Sequence, residues 1–363
     1  MVVGYEDVVE GLHDAKLSSV RPLPSIAKLG QNDRIAARTV HERTGAWLLR
    51  MDPPDHTRLR TVVNTAFTSR HVNALRPRIV KRVDRLLDFM HGAEQVDLMR
   101  AFANPLALGV IADMIGVPDR DCDTLVRWSD DVARMLELGP QDGRAVRSLR
   151  SLDAADQYVR HLIDERRREP RDDFVSRLLQ MPESSKLNAS QISSVCTLIL
   201  LAGRETTANM IGCALLALLN HPGEFQRLRR GPNITNEIVD ELIRFNTPLQ
   251  GVLRFPVSNT VVAGQHITAG QPVLLSLGAA NHDPARFPNP DRLDIGRQHG
   301  VSHLGFGHGG HYCLGAGLAR TILEVSFTAI LARLPSLRLA NDVQLWEGNF
   351  LFRGLSALLV RPV

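Results

Sequence analysis

Along the first two thirds of the chain, apolar residues recur three and four positions apart. In 76–89 they fall at Ile79, Val80, Val83, Leu86 and Leu87, which is the spacing of one face of an amphipathic helix. The stretch 96–115 is a second apolar segment, closed by the helix-stop combination Gly116-Val117-Pro118. A helix over 153–168 ends in Arg166-Arg167-Arg168, suited to the negative end of the helix dipole. Asn188 offers a cap for a long helix running to Asn220, where His221-Pro222-Gly223 ends it. One more helix is predicted over 234–245.

After Pro248 the pattern shortens to β-like runs over 252–257, 261–263 and 272–277, separated by Ala-Gly turns. A Pro-, Asp- and Arg-rich coil fills 283–297, a glycine-rich loop follows over 305–317, and a last helix is predicted over 318–334. The tail from 345 to 360 predicts a hairpin turning near Arg353-Gly354. No repeat or linker divides the chain. The prediction is one domain over 1–363, mainly α with small β-sheets, helix-rich over 54–247 and β-rich with the glycine loop over 248–363.

Composition narrows the classes. Hydrophobic content of 44% with 23% charged residues excludes wholesale disorder. Of 43 basic residues only Lys16, Lys28, Lys81 and Lys186 are lysines, and no run of like charge exceeds Arg166–Arg168, so there is no basic tail for nucleic acid. Cys122, Cys196, Cys213 and Cys313 contain no C-x-x-C, which argues against a zinc cluster or a disulfide framework and fits a reducing cytoplasm. Val195 to Leu219 is apolar but carries Arg204 and Glu205 at its middle, so it predicts a buried helix and no membrane span. The N-terminus has no secretory signal pattern. A cytoplasmic monomer is expected.

The loop Gly305-Phe306-Gly307-His308-Gly309-Gly310-His311-Tyr312-Cys313-Leu314-Gly315 is the richest segment. Its G-x-G-x-x-G match lacks the flanking strands of a dinucleotide site, and no Gly-Lys-Ser/Thr makes a phosphate loop. Six glycines in thirteen residues let backbone approach a bulky planar group and free N–H donors for one acceptor. A thiolate on iron needs such donors, and a helix starting after Cys313 adds its positive end. The other reading is a small buried hydrophobe, the one adopted for the remaining three cysteines.

Phe306-Gly-x-Gly-x-His311-x-Cys313-x-Gly315, followed by Ala319-Arg320, resembles the haem-binding loop of the cytochrome P-450 superfamily, in its bacterial branch. Three further segments match in order. Ala202-Gly203-Arg204-Glu205-Thr206-Thr207 is similar to the family's distal-helix motif. There the acid and first threonine line the oxygen pocket, which implies that Glu205 relays protons and Thr206 positions oxygen and a water. Thr206 can also bond back to the Ala202 carbonyl and open the helix; Arg204 is assigned no role. Glu241 and Arg244, three apart and so on one helix face, resemble the E-x-x-R pair, which implies burial with an arginine of the following coil, here Arg292, to support the Cys313 loop. Asp52 to Arg60 resembles the segment beside the haem. It implies a propionate clamp of His56, Arg60, Arg254 and His311, with Arg58 pointing elsewhere. Phe306 belongs to the haem-binding set.

The resemblance implies the P-450 fold, haem b on Cys313, and a monooxygenase hydroxylating or epoxidising a hydrophobic natural product. Oxygen activation would draw electrons from a separate ferredoxin or flavodoxin with its NAD(P)H-dependent reductase, and Arg58 and Arg70 are candidates for the docking face. By analogy the substrate lies among Ala202, Val252, Leu253, Phe350 and Leu351. The alternatives are peroxide-driven oxidation or oxidative coupling and cyclisation, and a non-catalytic haem-binding recruitment module. Val2 to Val8 resembles a segment that relatives place after a few tens of earlier residues, so the family's first helix and strand are expected to be missing from this sequence.

Overall fold

The computed structural model describes residues 1–363 apart from 137–142, 232, 298–301, 342, 348–349 and 363. In chain order its helices are α1 Tyr5–His13, α2 Gln31–Gly45, α3 Asp55–Ala66, α4 Ser69–Met90, α5 Asn104–Ile115, α6 Cys122–Leu136 and α7 Arg144–Arg168. They continue as α8 Phe174–Leu179, α9 Ala189–Asn220, α10 Pro222–Arg230, α11 Asn236–Phe245, α12 Leu277–Ala280 and α13 Ala316–Arg333. The largest apolar cluster reaches from Leu48 to Val360, and a second gathers Val2, Tyr5, Leu17, Val273, Leu275 and Leu277 around the first helix and the strands after Pro248. No helix among the described residues is long and apolar enough to cross a membrane.

The long predicted helix is α9, and its start is secured twice. Asn188 accepts from the Gln191 N–H (2.9 Å) while the Gln191 side chain accepts from the Asn188 N–H (3.1 Å), a capping box that satisfies two otherwise orphaned donors. From Thr207 to Leu218 every residue is buried, because α5, α6, α7, α10 and α11 surround it. A helix covered on all sides needs no polar stripe.

The apolar segment 96–115 is not one helix. Val96–Asp97 pairs antiparallel with Leu359–Val360, Met99–Ala103 is a π-helical turn, and α5 starts only at Asn104. Asp97 drives the break: its carboxylate accepts from the Met99 and Leu358 N–H groups, both at 3.0 Å. Helix α4 begins at Ser69, upstream of the predicted start, with Pro77 inside it. Helices α1 and α2 precede residue 54, so the helical part starts earlier than predicted. Helix α2 buries only Ala36, Ala37, Val40 and Thr44, a stripe too small to stand out by hydrophobicity.

The strands are short: β1 Leu17–Ser18, β2 Val96–Asp97, β3 Val252–Pro256, β4 Thr260–Val262, β5 Gln265–Ile267, β6 Val273–Leu275, β7 Arg338–Leu339, β8 Leu345–Trp346, β9 Leu355–Ala357 and β10 Leu359–Arg361. Antiparallel β1-β3-β6 positions the site, with Ser18 opposite Phe255 and Arg254 opposite Val273. The predicted C-terminal hairpin is β8–β9.

Candidate functional site

Cys313 sits where the glycine loop folds back on itself. Its N–H donates to the Phe306 carbonyl (2.8 Å), and the Gly307 N–H donates to Leu304 (2.8 Å). Gly307 and Gly309 adopt φ of +70° and +71°, a region side chains disfavour. A Cβ at Gly305 would stand 2.6 Å from Ile243 Cγ2, so the loop lies directly on α11. Helix α13 opens three residues after the cysteine. Burial pushes the Cys313 thiol up, while the Gly315 N–H, Arg60 and Arg320 act against it by favouring the thiolate. Cys313 is exposed to the adjoining cavity, which it helps to line. At the other three thiols burial dominates, with Arg82 and Arg353 opposing it at Cys122 and Cys213: Cys122 is held at about 11 and Cys213 at about 12, and Cys196 is raised further.

That cavity, of about 310 Å³, has Cys313, Phe306 and Leu318 on one wall and Ala202, Thr206 and Thr207 of α9 on the other. Thr206 Oγ1 donates to the Ala202 carbonyl at 3.1 Å, as its position in the helix predicts. A Cβ at Gly203 would lie 2.9 Å from Ile111 Cδ1, so close packing on α5 accounts for this glycine. Glu205 departs from expectation. It lines a second, larger cavity of about 730 Å³ on the far face of α9, with Asp97, Asp123, Asp130, Asn209 and Glu347, because successive helix residues diverge by about 100°. That cavity has no sulfur ligand facing it except Met99, so the smaller one is the candidate active site. Arg204, given no role from sequence, is buried and bonded to Asp130 of α6.

Basic groups crowd one edge of the Cys313 cavity. Arg60, Arg254 and His311 line it, and the His56 and His311 rings stack at 4.0 Å. Arg60 Nη2 donates to the Tyr312 carbonyl at 2.6 Å, and His311 Nε2 lies 3.0 Å from Ser19 Oγ. Burial, His56 and Arg254 push His311 down to about 3. Burial likewise pushes Arg254 down to about 10, and among the described residues its side chain donates to the Leu253 carbonyl at 3.0 Å. His56 Nε2 is buried without a partner. Among these groups the nearby carboxylate is Asp52, held by Ser18 and by the Ser19 N–H (2.9 Å). Buried cations with unused donors call for anions. A thiolate-facing slot edged in this way fits haem, whose propionates would occupy that edge.

The E-x-x-R pair is fully buried: Arg244 Nε and Nη2 reach Glu241 at 2.7 and 3.0 Å. The third arginine is Arg297, not Arg292. Arg297 Nε lies 3.1 Å from both Glu241 oxygens, whereas the Arg292 side chain is exposed and only its carbonyl is used, accepting from Arg244 and Arg297. A turn closed by Arg292 N–H to Asn289 (3.1 Å) points the carbonyl inward and the side chain out.

The substrate residues divide as well. Ala202 and Val252 line the cavity. Leu253 does not, since alternate strand residues face opposite ways and β3 aims Val252 and Arg254 inward. Phe350 is 64% exposed and Leu351, though buried, is absent from the lining; this segment meets the site through backbone, Gln250 N–H donating to Leu351 O at 2.8 Å. Ser19, Asp52 and Arg297 were missed as parts of the site by sequence reasoning, which had no spacing rule to select them.

A thiol aimed into a cavity beneath a kink-capable helix, with cations along one edge, defines a haem-thiolate site. The sequence profile described as Cytochrome P450 matches residues 132–231 and 233–344. The "Biotin biosynthesis cytochrome P450" of Bacillus subtilis is 36% identical over 99% of this chain and 89% of its own length. The "Mycinamicin IV hydroxylase/epoxidase" of Micromonospora griseorubida is 38% identical over 98% of this chain and 87% of its own length. The solved structure of P450BioI in complex with hexadec-9Z-enoic acid ligated acyl carrier protein superposes with a TM-score of 0.90 at 35% identity, covering 99% of this chain and 91% of that one. The chain belongs to the cytochrome P450 family and is an enzyme of the P450 monooxygenase type with a haem-thiolate cofactor.

Proposed function

We propose that this enzyme hydroxylates or epoxidises a hydrophobic natural product with dioxygen, using haem b bound through Cys313 and electrons from a ferredoxin or flavodoxin served by an NAD(P)H-dependent reductase. The observation that carries the reading is Cys313 facing Thr206 across an apolar cavity. Haem held by a thiolate supplies reductive activation of dioxygen, one oxygen atom going to substrate and the other to water.

The chain's own residues supply the rest. The Gly315 N–H, Arg60 and Arg320 stabilise the Cys313 thiolate. His56, Arg60, Arg254 and His311 hold the propionate edge. Ala202, Val252 and Leu198 form an apolar wall that excludes water and orients substrate by shape. Thr206 gives its hydroxyl proton to Ala202 O and keeps its lone pairs to hold a water in the cavity. Glu205, on the opposite face of α9, sits in a polar cavity from which protons can be drawn. Relatives named for polyketide biosynthesis, for 6-deoxyerythronolide B hydroxylation and for mycinamicin IV hydroxylation or epoxidation support this substrate class.

The test is the reduced, carbon-monoxide-bound absorption spectrum, in which a thiolate-type Soret shift is expected. Turnover of macrolide and polyketide candidates is then compared with peroxide alone and with ferredoxin, reductase and NAD(P)H. Product formed only with peroxide overturns the oxygen-activating reading. A structural neighbour titled for C–S bond formation favours oxidative coupling as the second reading; a product that carries no atom of labelled dioxygen would select it.

A further inference from the structure

The edge of the Cys313 cavity holds more positive charge than the haem can neutralise. Arg60 and Arg254 face the cavity. Arg50 directly follows Leu48 and Leu49, which line the cavity too, and Arg21 stands two residues after Ser19, whose hydroxyl meets the lining His311. The segment carrying Arg21 is fixed at this corner: β1 pairs with β3 beside Arg254, Ser18 and the Ser19 N–H hold Asp52, and Ser19 Oγ lies 3.0 Å from His311 Nε2. Arg50 is buried at 7% exposure. It donates to Thr44 Oγ1, lies 3.1 Å from His41 Nδ1, and keeps Nε without a partner. Arg21 is half-buried and has neither a hydrogen bond nor an ion pair among the described residues. It is close enough to lower the proton affinity of both Arg50 and Arg254.

Four guanidinium groups thus share this corner with one carboxylate, Asp52. Two propionates would still leave an excess of one positive charge. Buried guanidinium groups without acceptors are costly unless an anion completes them. The surroundings say what else that anion carries. Leu48 and Leu49 line the cavity, while Val20 (52% exposed), Leu23 and Leu49 put apolar surface beside Arg21 and Arg50.

We infer that Arg21, backed by Arg50, receives a carboxylate or phosphate carried by the substrate at the mouth of the Cys313 cavity. Substrates are then amphipathic anions whose apolar body enters the cavity and whose acidic end stays at the arginines. This rests on the proposed monooxygenase reading and narrows its substrate class. The anion is either the substrate's own carboxylate or the phosphate of a phosphopantetheine-tethered chain.

The experiment uses the haem-loaded enzyme, with its carbon-monoxide spectrum recorded first, so failure of the haem-thiolate reading shows there and separately. Spin-state titrations then compare dodecanoic acid, dodecan-1-ol and dodecanoyl-phosphopantetheine. An acid or phosphopantetheine ester bound about tenfold more tightly than the alcohol is expected, the scale of a charge-assisted pair. Arg21→Gln should erase that preference while moving the alcohol's affinity less than about twofold, and Arg21→Lys should keep most of it. Preference for the free acid identifies the substrate's own carboxylate; preference for the ester identifies a tethered chain. Equal binding of all three probes to the native enzyme overturns the inference. So does a haem-loaded Arg21→Gln variant that keeps the acid preference, because the anion would then be held elsewhere.

Discussion

At the scale of single residues, chemistry is separated from support by what each side chain touches. Cys313→Ser removes the sulfur but keeps the loop's backbone bonds, so the variant is expected to fold and to lose the thiolate-type Soret band of the reduced carbon-monoxide complex. Arg297 and Arg292 make a sharper pair. Truncating Arg297 leaves the fully buried Glu241 with half its cationic partners, and losing one member of a buried pair costs about 3–5 kcal/mol. Arg292→Ala keeps the carbonyl that matters and is expected to stay within about 0.5 kcal/mol. Chemical denaturation of Arg297→Met and Arg292→Ala checks both; equal losses would return the third position to Arg292. Cys313, Glu241 and Arg244 were legible because their motifs are local. Arg297 was not, since a coil holding Arg286, Arg292 and Arg297 gives no period by which to choose.

At the scale of elements, α9 divides the work between its faces. Thr206 looks onto the Cys313 cavity and Glu205 onto the acidic one. Thr206→Val removes the hydroxyl at nearly constant volume. Product formation is expected to fall roughly 10²-fold, the low end of what a positioned proton-handling group contributes, while NAD(P)H oxidation continues and the electrons leave as hydrogen peroxide. Measuring product, NAD(P)H and peroxide together tests this; a parallel fall in all three would make Thr206 structural. A second junction predicts acid behaviour. Asp240 on α11 meets Arg320 of α13 at 2.7 Å and His303 at 3.3 Å. Burial alone would raise its carboxyl, but the hydrogen bonds from His303 and Arg320 hold it below the usual carboxylate range. The stabilisation is therefore present above the unfolded value of about 3.9 and is lost as pH falls through the folded one. Asp240→Asn should be less stable than the native protein at pH 6, and the two melting temperatures should converge below about pH 4.

Element existence was largely readable where burial is one-sided or complete and ends are capped, as in α9, α11 and α13. It failed where one apolar run serves three structures: Val96 to Ile115 reads as a helix, yet Asp97 recruits Leu358 from the far end of the chain to break it. No local window contains that partner. The strands β1 and β2 are two residues long, shorter than any alternation can reveal.

At the scale of the whole molecule, charge and position together bear on how electrons arrive. The net charge is +4, and the arginines are unevenly placed. Helix α3 carries Arg60, which binds the Tyr312 carbonyl next to Cys313, so its outward residue Arg58 lies on the Cys313 side of the molecule. Arg70 follows at the start of α4, also exposed. Exposed cations around the shortest path to the thiolate suit an acidic ferredoxin, and their pull is screened over about 10 Å at 0.1 M salt. Ferredoxin-supported turnover should therefore fall as ionic strength rises, whereas peroxide-supported turnover should not. Reversing both charges in Arg58→Glu/Arg70→Glu should raise the apparent KM for ferredoxin about tenfold, within the range steering gives, with peroxide-supported turnover unchanged because neither side chain reaches the cavity. An unchanged KM in the double variant would move the electron-donor surface elsewhere.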